Sequence, residues 1–525
     1  MILFGPDAVR KIDENPYILV DIVYGVNFSK IDKVALEIGI PKDNDFRIKS
    51  GIKYVLLTAS YNGNTCVLKE NLITYIMQIL DVGREEIENN LINLKVENEI
   101  IIEKRDDDVE WVYLYPFYKL ELNILEKLIK LKDSKNVKYI KNFKKELKNQ
   151  EKKLDIELSE KQFEALEQIN DNNVCIITGG PGTGKTTIIK CMLELYKENG
   201  KKVVLCAPTG RAAKRMTETT GEEAKTIHRL LEIGKIEDDK LHNIDINLTP
   251  IDADVLVVDE ASMVDSFLMN YILKGIYIGT KLVLVGDSNQ LPSVGPGCVL
   301  KDLIDSEKFA YVSLNKIFRQ AAKSKIIVNS HDVNNGKSFI GKEYDDTQEN
   351  DFFYVNEPIQ EKVLAQVISL SKERLENYGN YNFYDNIQVL TPTKKGMLGT
   401  KELNNCLQEA LNPEDINKSE KQYGDMLFRE GDRVMQIKNN YDIPWERVKN
   451  GEVEYNSGIF NGELGIIKSI DNFDKNLEVE FDDEKTATYA FSELDELELA
   501  YSITIHKAQR KWVWCSYYGS SMDFK

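Results

Sequence analysis

The spacing of hydrophobic positions changes along the chain. Residues 1 to about 155 carry short apolar-periodic helical segments, separated by turns such as Asn15-Pro16-Tyr17 and Asn62-Gly63. This pattern predicts a helical accessory region. From Val174 onward, short continuous apolar runs are each followed closely by Gly, Asp, Pro or Thr, as in buried parallel strands. These runs are Val174–Ile177, Val203–Cys206, Val255–Val258 and Leu282–Val285.

A second, weaker set of strand-like runs begins at Ile387-Gln388-Val389-Leu390. A period-two pattern with glycine turns follows between Gly431 and about Leu497. Together these patterns predict an α/β fold with two parallel-sheet domains and a small β module inserted into the second. The predicted boundaries are 1–155 for the accessory region, 156–307 for the first sheet domain, 308–430 and 497–525 for the second, and 431–496 for the insertion.

Composition places the chain in the globular class, since 42% of its 525 residues are hydrophobic and 29% are charged. The chain has no long apolar run, and Met1–Asp7 shows no cationic leader followed by an apolar segment. We therefore expect no membrane span and a cytoplasmic location. The seven cysteines lie far apart, without the close pairs used by metal sites and disulfide frameworks.

The net charge of the chain excludes few classes of binding partner. A net charge of −18 argues against coating of nucleic acid through the overall field, but a local basic groove is compatible with it. The lysine-rich stretch Lys127–Lys153 begins with a helical pattern. It could follow phosphates or, as such stretches more often do, form a solvated face.

A glycine-rich segment directly after the first apolar run carries the strongest chemical signal. It reads Gly179-Gly180-Pro181-Gly182-Thr183-Gly184-Lys185-Thr186-Thr187 and satisfies the spacing G-x-x-x-x-G-K-[ST]. Helical spacing follows, so the loop opens a helix whose N-terminal amides and dipole favour a phosphate. We expect Lys185 to neutralise the β and γ phosphates of ATP, and the Thr186 hydroxyl to ligate Mg²⁺.

A phosphate loop alone also fits kinases, GTPases and transport ATPases, so a second acidic element has to discriminate. Asp259 and Glu260 stand at the end of the run Val255–Val258. There Asp259 can hold Mg²⁺ through water, while Glu260 can activate the attacking water. Paired adjacent carboxylates favour hydrolysis over small-molecule kinase chemistry.

Asp259-Glu260-Ala261-Ser262-Met263 is followed, after one more strand, by Gly286-Asp287-Ser288-Asn289-Gln290-Leu291-Pro292. Together these segments resemble superfamily-one helicases. The resemblance implies that Gln290 senses the γ-phosphate and that Gln162, in Leu158–Gln162, reads adenine. The residues of the segments implied to touch single-stranded DNA include Pro208, Thr209, Gly210, Arg211, Thr226 and His228.

Further segments resemble the RecD-like branch, which moves 5′ to 3′. Leu314-Asn315-Lys316-Ile317-Phe318-Arg319-Gln320 is similar to a motif with an arginine finger. Arg319 would then stabilise charge on the transferred phosphoryl group; the alternative is an ordinary surface arginine. The implied DNA-binding residues of the second sheet domain are Thr391, Pro392, Thr504, His506 and Lys507.

The resemblance also covers the smaller regions. Gly431–Gln436 is similar to a second-domain segment, and Phe460–Gly465 to the start of an SH3-like insertion. Asn15–Tyr17 and Tyr24–Phe28 resemble the helix-hairpin-helix part of the bacterial stand-alone RecD-like enzymes. The fold implied is two RecA-like phosphate-loop NTPase domains, an SH3-like β insertion and an N-terminal helical region of helix-hairpin-helix type.

The sequence departs from the family pattern in three places. Gly25-Val26-Asn27 lacks the second glycine of the DNA-binding hairpin, and the chain begins partway into the family's N-terminal region. Tyr501–Gln509 matches motif V, after which the family has Gly-Ser and an apolar strand. Here Arg510–Cys515 follows, and the family's final arginine motif is absent. We therefore expect a sheet edge to be left uncovered at this point.

Two hypotheses for function remain. The first is an ATP-dependent DNA helicase that moves 5′ to 3′ on single-stranded DNA, in repair or recombination. The second is an ATP- and DNA-binding remnant that cannot unwind because its last motor motif is missing. A different phosphate-loop ATPase, such as an unfoldase, requires the helicase-like segments to be accidental. The expected cofactors are ATP and Mg²⁺, and the expected partners are single-stranded DNA and junctions, with no membrane and no obligate protein partner.

We predict that the tail from Arg510 arises from a shifted reading frame. Arg510–Gly519 can be encoded as AGG AAG TGG GTN TGG TGT AGT TAT TAT GGN. Read one base later, these codons give Gly-Ser-Gly, one variable residue and Gly-Val-Val-Ile-Met, a Gly-Ser turn and an apolar strand. The nucleotide sequence around codon 510 checks this. An open shifted frame that encodes an arginine-bearing final motif is expected, and a closed frame contradicts it.

Overall fold

Helices and strands alternate through two units in the computed structural model, Met1–Asp351 (unit 1) and Phe352–Lys525 (unit 2). The residues described are 10, 12, 14–22, 28–105, 108–135, 139–233, 248–318, 323–339, 351–379, 381–438, 440–449, 451–482, 484–508 and 515–518. Among these residues, no helix has both the length and the apolar character needed to cross a membrane.

Unit 1 contains the accessory region and the first parallel sheet. Its strands are β1 (Cys66–Leu68), β2 (Ile100–Lys104), β3 (Glu110–Leu114), β4 (Val174–Gly179), β5 (Val203–Ala207), β6 (Ala224–Thr226), β7 (Val255–Val258), β8 (Lys281–Gly286) and β9 (Ala310–Leu314). Its helices are α1 (Ile18–Ile22), α2 (Phe28–Glu37), α3 (Asp45–Tyr61), α4 (Lys69–Leu80), α5 (Arg84–Val96), α6 (Tyr115–Lys132), α7 (Phe143–Leu154), α8 (Glu160–Asp171), α9 (Lys185–Glu198), α10 (Gly210–Thr220), α11 (Ile227–Leu230), α12 (Ser266–Gly275), α13 (Val299–Asp305) and α14 (Lys325–Asn334).

A sheet of six parallel strands forms the core of the rest of unit 1, in the order β6-β5-β7-β8-β4-β9. All residues of β4, β7 and β8 are buried, as expected where helices cover both faces of a parallel sheet. The four apolar runs predicted as strands all lie in this sheet. β6 and β9 were not predicted, and β9 pairs with β4. The predicted boundary at residue 307 is therefore wrong, because the first sheet continues to Leu314.

The accessory region contains a three-stranded antiparallel sheet, β1-β3-β2, in addition to the predicted helices. A buried ion pair joins its helices: the Arg47 Nε atom lies 2.7 Å from Asp32 Oδ1, and the Tyr17 hydroxyl donates to the same oxygen at 2.8 Å. The turn at Asn15-Pro16-Tyr17 thus anchors the start of this region. The hairpin Gly25-Val26-Asn27 lies outside the described residues.

The lysine-rich stretch is divided between α6 and α7 and makes contacts within unit 1. Lys127 Nζ donates to the Leu273 carbonyl at 3.2 Å, and Lys132 Nζ to the Lys308 carbonyl at 2.7 Å. Lys153 pairs with Glu198 at 2.5 Å. These contacts favour a structural role for the stretch over the tracking of phosphates.

Unit 2 contains a three-stranded parallel sheet, in the order β20-β10-β21, and a seven-stranded antiparallel sheet, in the order β15-β14-β18-β17-β16-β13-β19. The strands are β10 (Ile387–Thr391), β11 (Glu420–Tyr423), β12 (Met426–Arg429), β13 (Arg433–Gln436), β14 (Asn440–Lys449), β15 (Glu452–Ile459), β16 (Leu464–Asp471), β17 (Asn476–Phe481), β18 (Thr486–Ala490), β19 (Leu497–Leu499), β20 (Ser502–Thr504) and β21 (Cys515–Tyr518). The helices are α15 (Gln360–Ser369), α16 (Leu375–Gly379), α17 (Thr400–Leu411) and α18 (Ile505–Ala508). The antiparallel sheet includes β19, so it extends past the predicted end of the insertion at residue 496.

The tail beyond motif V adds strand β21, which pairs in parallel with β10 from Ile387↔Cys515 to Leu390↔Tyr518. The expectation that this edge of the second sheet is uncovered is therefore wrong. The pairing is made by backbone groups, so it does not require the side chains of the family's strand. The reading-frame hypothesis stays a prediction.

A buried carboxylate organises the junction of the two sheets in unit 2. Asp432 accepts hydrogen bonds from the Tyr501 hydroxyl at 2.9 Å, the Asn412 amide at 2.7 Å, the Gln408 amide at 2.6 Å and the Arg429 backbone N–H at 2.7 Å. Burial raises the pKa of this carboxyl group, and the hydrogen bonds oppose the rise. The Gly431–Gln436 segment thus has a structural role at this position.

A fully buried lysine joins the first sheet to α8. Lys281 opens β8, and its Nζ atom donates to the carbonyls of Ile169 at 2.6 Å, Asn170 at 3.1 Å and Asn172 at 2.5 Å. The ammonium group therefore satisfies carbonyls at the C-terminal end of α8, where a cation is favoured.

We expect Lys281→Met to lower the free energy of unfolding by about 2 to 4 kcal/mol, because it takes the ammonium donor away from three carbonyls at the end of α8, although that of Ile169 still accepts from the Tyr196 hydroxyl at 3.5 Å. Urea denaturation measures the effect. Lys301→Met, at an exposed lysine of α13, is the matched control and should change stability by less than about 0.5 kcal/mol. Equal stability of the two variants would contradict the capping role of Lys281.

Candidate nucleotide- and DNA-binding site

The glycine-rich loop connects the carboxyl end of β4 to α9. Gly182 and Gly184 adopt left-handed φ angles of 74° and 84°, which glycine tolerates without strain. A Cβ at Gly179 would lie 2.7 Å from Thr183 Oγ1 and 2.9 Å from Leu314 Cβ. The loop therefore needs glycine at these positions to keep its shape.

The polar groups of the loop converge at the start of α9. Lys185 Nζ donates to the carbonyls of Gly179 and Gly180, the latter at 3.1 Å, and the Thr183 hydroxyl donates to Gly180 at 2.8 Å. Thr186 and Thr187 follow in the first helical turn. A glycine cradle, an ammonium group and a helix N-terminus together fit the phosphates of a nucleotide.

Gln162 lies beside this loop, and its side chain has a structural role. It forms a capping box with Ser159, whose backbone N–H donates to Gln162 Oε1 at 2.9 Å. Its Nε2 atom lies 3.5 Å from the Gly184 carbonyl, and the residue is buried. The structure thus brings Gln162 to the phosphate loop, while its contact with adenine stays a prediction.

Asp259 and Glu260 follow β7, which is separated from β4 by β8. Two strand spacings amount to roughly 10 Å, which leaves room for a terminal phosphate and an attacking water between the carboxylates and the loop. Glu260 has a left-handed φ of 51°, a strained conformation for a residue other than glycine.

Burial raises the pKa of both carboxyl groups. For Glu260 the negative charges of Asp259 and Asp287 raise the pKa further, whereas Lys185 and Arg215 lower it. A raised pKa suits a carboxylate that has to accept a proton from water. Sequence reasoning missed Arg215, although its spacing of four from Arg211 places both on one face of α10.

The segment that contains Gln290 begins at the carboxyl end of β8, the strand between the phosphate loop and the two carboxylates. The Ser288 backbone N–H donates to Thr178 Oγ1 at 3.0 Å, and Ser262 Oγ lies 3.5 Å from Gln290 Oε1. The segment therefore touches both the end of β4 and the turn after Glu260. Sequence reasoning did not single out Thr178 or Ser262, because their contacts join distant parts of the chain.

The candidate DNA-binding residues of unit 1 lie at the carboxyl ends of β5 and β6. These strands are paired through Ala207↔Thr226. Thr209 caps α10 by accepting from the Ala212 N–H at 3.3 Å, and Thr226 caps α11 by accepting from the Arg229 N–H at 3.2 Å. The neighbours in these two turns are Pro208, Gly210, the exposed Arg211 and His228.

In unit 2, the segments of Thr391 and Thr504 meet in register at the carboxyl ends of β10 and β20. Thr391 is 1% exposed, and its hydroxyl donates to the Leu398 carbonyl at 2.5 Å. Thr391 therefore shapes its loop, and the exposed Pro392 is better placed for a ligand than the Thr391 hydroxyl.

The second of these segments also has internal partners. Thr504 accepts from the Lys507 N–H at 3.4 Å, and the Lys507 ammonium group pairs with Glu498 at 2.5 Å. His506 is exposed between them in sequence. Of the three candidate residues in this segment, His506 is the one with an exposed side chain.

Arg319 lies outside the described residues, so its role as an arginine finger stays a prediction. The residue before it contacts the phosphate loop, since the Phe318 backbone N–H donates to the Gly182 carbonyl at 3.3 Å.

Comparison with known proteins is consistent with this geometry. Three family models match: an AAA domain over residues 157–354, an ATP-dependent RecD-like DNA helicase SH3 domain over 403–481, and an ATP-dependent RecD2 DNA helicase HHH domain over 2–66. The RecBCD enzyme subunit RecD of Buchnera aphidicola subsp. Acyrthosiphon pisum is 30% identical over 470 residues, which cover 76% of this chain and 73% of that protein. This chain belongs to the RecD-like helicase family.

Other relatives differ in how much of them is matched. The ATP-dependent RecD2 DNA helicase of Deinococcus radiodurans is 36% identical over 352 residues. The match covers 67% of this RecD-like chain but 44% of that relative. A crystal structure of Pif1 helicase from Candida albicans has a TM-score of 0.35 and 19% identity, covering 68% of this chain and 88% of that one.

The family matches confirm the predicted fold of the RecD-like chain: a helix-hairpin-helix region, a phosphate-loop domain and an SH3-like domain. The SH3 match begins at residue 403, earlier than the predicted start of the insertion at 431. Helix α17 and the β11–β12 hairpin account for most of this difference, because both precede β13 in the chain.

We expect Lys185→Ala to abolish ATP hydrolysis, and Glu260→Gln to abolish turnover while ATP still binds, because the first removes phosphate charge and the second the base. Turnover assays with nucleotide-binding titrations measure both. Near wild-type turnover in either variant would refute the site.

The pKa of Glu260 is raised, so its protonation should remove the turnover of the unaltered protein as the pH falls through that pKa, which lies above the usual range of a glutamate.

Proposed function

We propose that this chain is an ATP-dependent DNA helicase that moves 5′ to 3′ on single-stranded DNA. The main support is the arrangement of unit 1. The phosphate loop, the Gln290 segment and the two carboxylates follow neighbouring strands β4, β8 and β7, and the candidate DNA segments follow β5 and β6. In parallel sheets such carboxyl ends form the usual ligand-binding edge. A change at the nucleotide can therefore reach the DNA segments across a few strand spacings.

The residues of the loop would hold ATP through its phosphates. Loop amides and Lys185 would bind the β and γ phosphates, and Thr186 and Asp259 would hold Mg²⁺. The glycine cradle fits this, and one hydroxyl with one carboxylate matches the sparse protein ligation of Mg²⁺. The described residues contain no cluster of three or more His, Cys, Asp or Glu that could hold a metal ion. When bound, Mg²⁺ would neutralise charge on the phosphate oxygens.

The hydrolytic step would use the carboxylates and the Gln290 segment. Glu260 would take a proton from the attacking water. At the same time the water oxygen would bond to the γ-phosphorus, and the bond between that phosphorus and the ADP oxygen would break. Gln290 is well placed to respond to this change, because its segment contacts both the Thr178 end of β4 and the Ser262 turn.

DNA binding is proposed through phosphates and stacked bases, so it should weaken with salt and depend little on sequence. The proposed substrates are single-stranded DNA and junctions, and the proposed setting is cytoplasmic repair or recombination. The helix-hairpin-helix match favours a stand-alone enzyme over one with an obligate partner subunit.

A second candidate is a chain that binds ATP and DNA but does not unwind. One observation favours it: after Gln509 the sequence reads Arg510-Lys511-Trp512, where the family has Gly-Ser and an apolar strand. In the sequence, this difference begins directly after motif V.

Strand displacement tests the first proposal against the second. We expect ATP-dependent displacement of a 5′-tailed duplex and none of a 3′-tailed duplex, because RecD-like motors move 5′ to 3′. Lys185→Ala is the control for ATP dependence. ATPase activity stimulated by single-stranded DNA, without displacement of either duplex, would support the second candidate. Displacement of the 3′-tailed duplex alone would refute the polarity.

A further inference from the structure

Helix α14 brings a histidine against the phosphate loop. The Nε2 atom of His331 lies 3.4 Å from the carbonyl oxygen of Pro181. A Cβ built on Gly180 would lie 2.8 Å from His331 Cε1, so the imidazole ring packs directly on the loop backbone. Neither the sequence motifs nor the proposed mechanism uses this residue.

A second contact falls on the next carbonyl of the loop. The Phe318 backbone N–H donates to the Gly182 carbonyl at 3.3 Å. Two successive carbonyls, those of Pro181 and Gly182, therefore point at donors from the same later stretch of chain.

The planarity of the peptide bond gives these contacts a consequence for ligand binding. In a trans peptide the carbonyl and the following N–H point in opposite directions, and the described residues contain no cis peptide bond. A Pro181 carbonyl held toward His331 turns the Gly182 N–H away from it. A Gly182 carbonyl held toward Phe318 turns the Thr183 N–H away in the same manner. Backbone N–H groups are what such loops offer to phosphates.

The helix that carries His331 is itself held in place. Ser324 caps α14 by accepting from the Ile327 N–H at 3.3 Å. Asp351 accepts from the Ser324 hydroxyl at 2.5 Å and from the Lys325 N–H at 2.8 Å. The imidazole therefore approaches the loop from a fixed support.

We propose that His331 is a positioning residue for nucleotide phosphates: its Nε2–H holds the Pro181 carbonyl outward, so that the loop N–H groups stay directed at the phosphates. A carbonyl only accepts hydrogen bonds, so Nε2 carries the hydrogen in this pair. The inference rests on the proposed nucleotide binding and adds a residue to that site.

His331→Phe keeps an aromatic ring but removes the donor. We expect it to weaken ADP binding about fivefold, the effect of one neutral hydrogen bond, and to leave adenosine binding unchanged because adenosine has no phosphate. His331→Gln keeps a donor and should recover part of the loss. Val333→Ala, at an exposed position of the same helix, is the matched control. Competition against a fluorescent ADP analogue measures all four proteins, and thermal unfolding checks their stability.

Gly180→Ala gives a reciprocal test, because its added Cβ meets the imidazole ring. We expect Gly180→Ala to bind ADP more weakly than the unaltered protein. The double variant Gly180→Ala/His331→Ala should bind ADP no more weakly than Gly180→Ala alone, because the added Cβ has already displaced the imidazole from the loop.

Three outcomes would overturn the inference while leaving nucleotide binding intact. They are ADP affinity unchanged in His331→Phe, equal losses for ADP and adenosine, and a loss of ADP affinity in the double variant beyond that of Gly180→Ala. Failure of the unaltered protein to bind ADP would instead refute the proposed function, and the inference with it.

Discussion

The parallel pairing of β4, β8 and β7 is the constraint on which the rest of the site depends. Their residues are buried throughout, so polar groups can appear only where the strands end. Because the strands run in one direction, those ends lie on one edge. Gly179, Gly286 and Asp259 each stand at such an end or directly after it. The sheet thus assembles the site from segments that are far apart in sequence.

Close packing and backbone strain accompany this assembly. A Cβ at Gly286 would lie 2.8 Å from Leu300 Cδ2 and 3.0 Å from the Ser262 backbone nitrogen, so the Gln290 segment begins with no room for a side chain. The left-handed backbone at Glu260 costs about 1 to 3 kcal/mol for a residue of its type. The packed sheet offsets that cost and thereby holds the carboxylate at the edge.

At this edge of the sheet, burial and nearby cations have opposite effects on the pKa of the candidate base. Burial and neighbouring acids raise the pKa of Glu260, while Lys185 and Arg215 lower it. Lys185 belongs to the phosphate loop and Arg215 to the helix after the candidate DNA segment. Protonation of the candidate base is therefore linked to both parts of the proposed site. In unit 2, Asp432 is also buried, but four hydrogen bonds give it a structural role.

The sequence by itself determined those strands and loops that are specified by a few consecutive residues. Apolar runs predicted β4, β5, β7 and β8, and the glycine and lysine spacing predicted the phosphate loop, because each pattern lies within a few consecutive residues. Short or mixed strands such as β6 and β9 carry no such pattern and form only by pairing with neighbours. The same holds for β21, which follows no family pattern and pairs through its backbone.

Contacts between distant residues were decided by the tertiary structure alone. Thr178 meets Ser288 across 110 positions of sequence, and His331 meets Pro181 across 150. A threonine after a buried strand, or a histidine in a surface helix, has no local feature that identifies its partner. Only the packed sheet, with α14 fixed at its edge, brings such side chains to the phosphate loop. For that reason the sequence indicated the chemistry of the loop, and the fold determined which residues surround it.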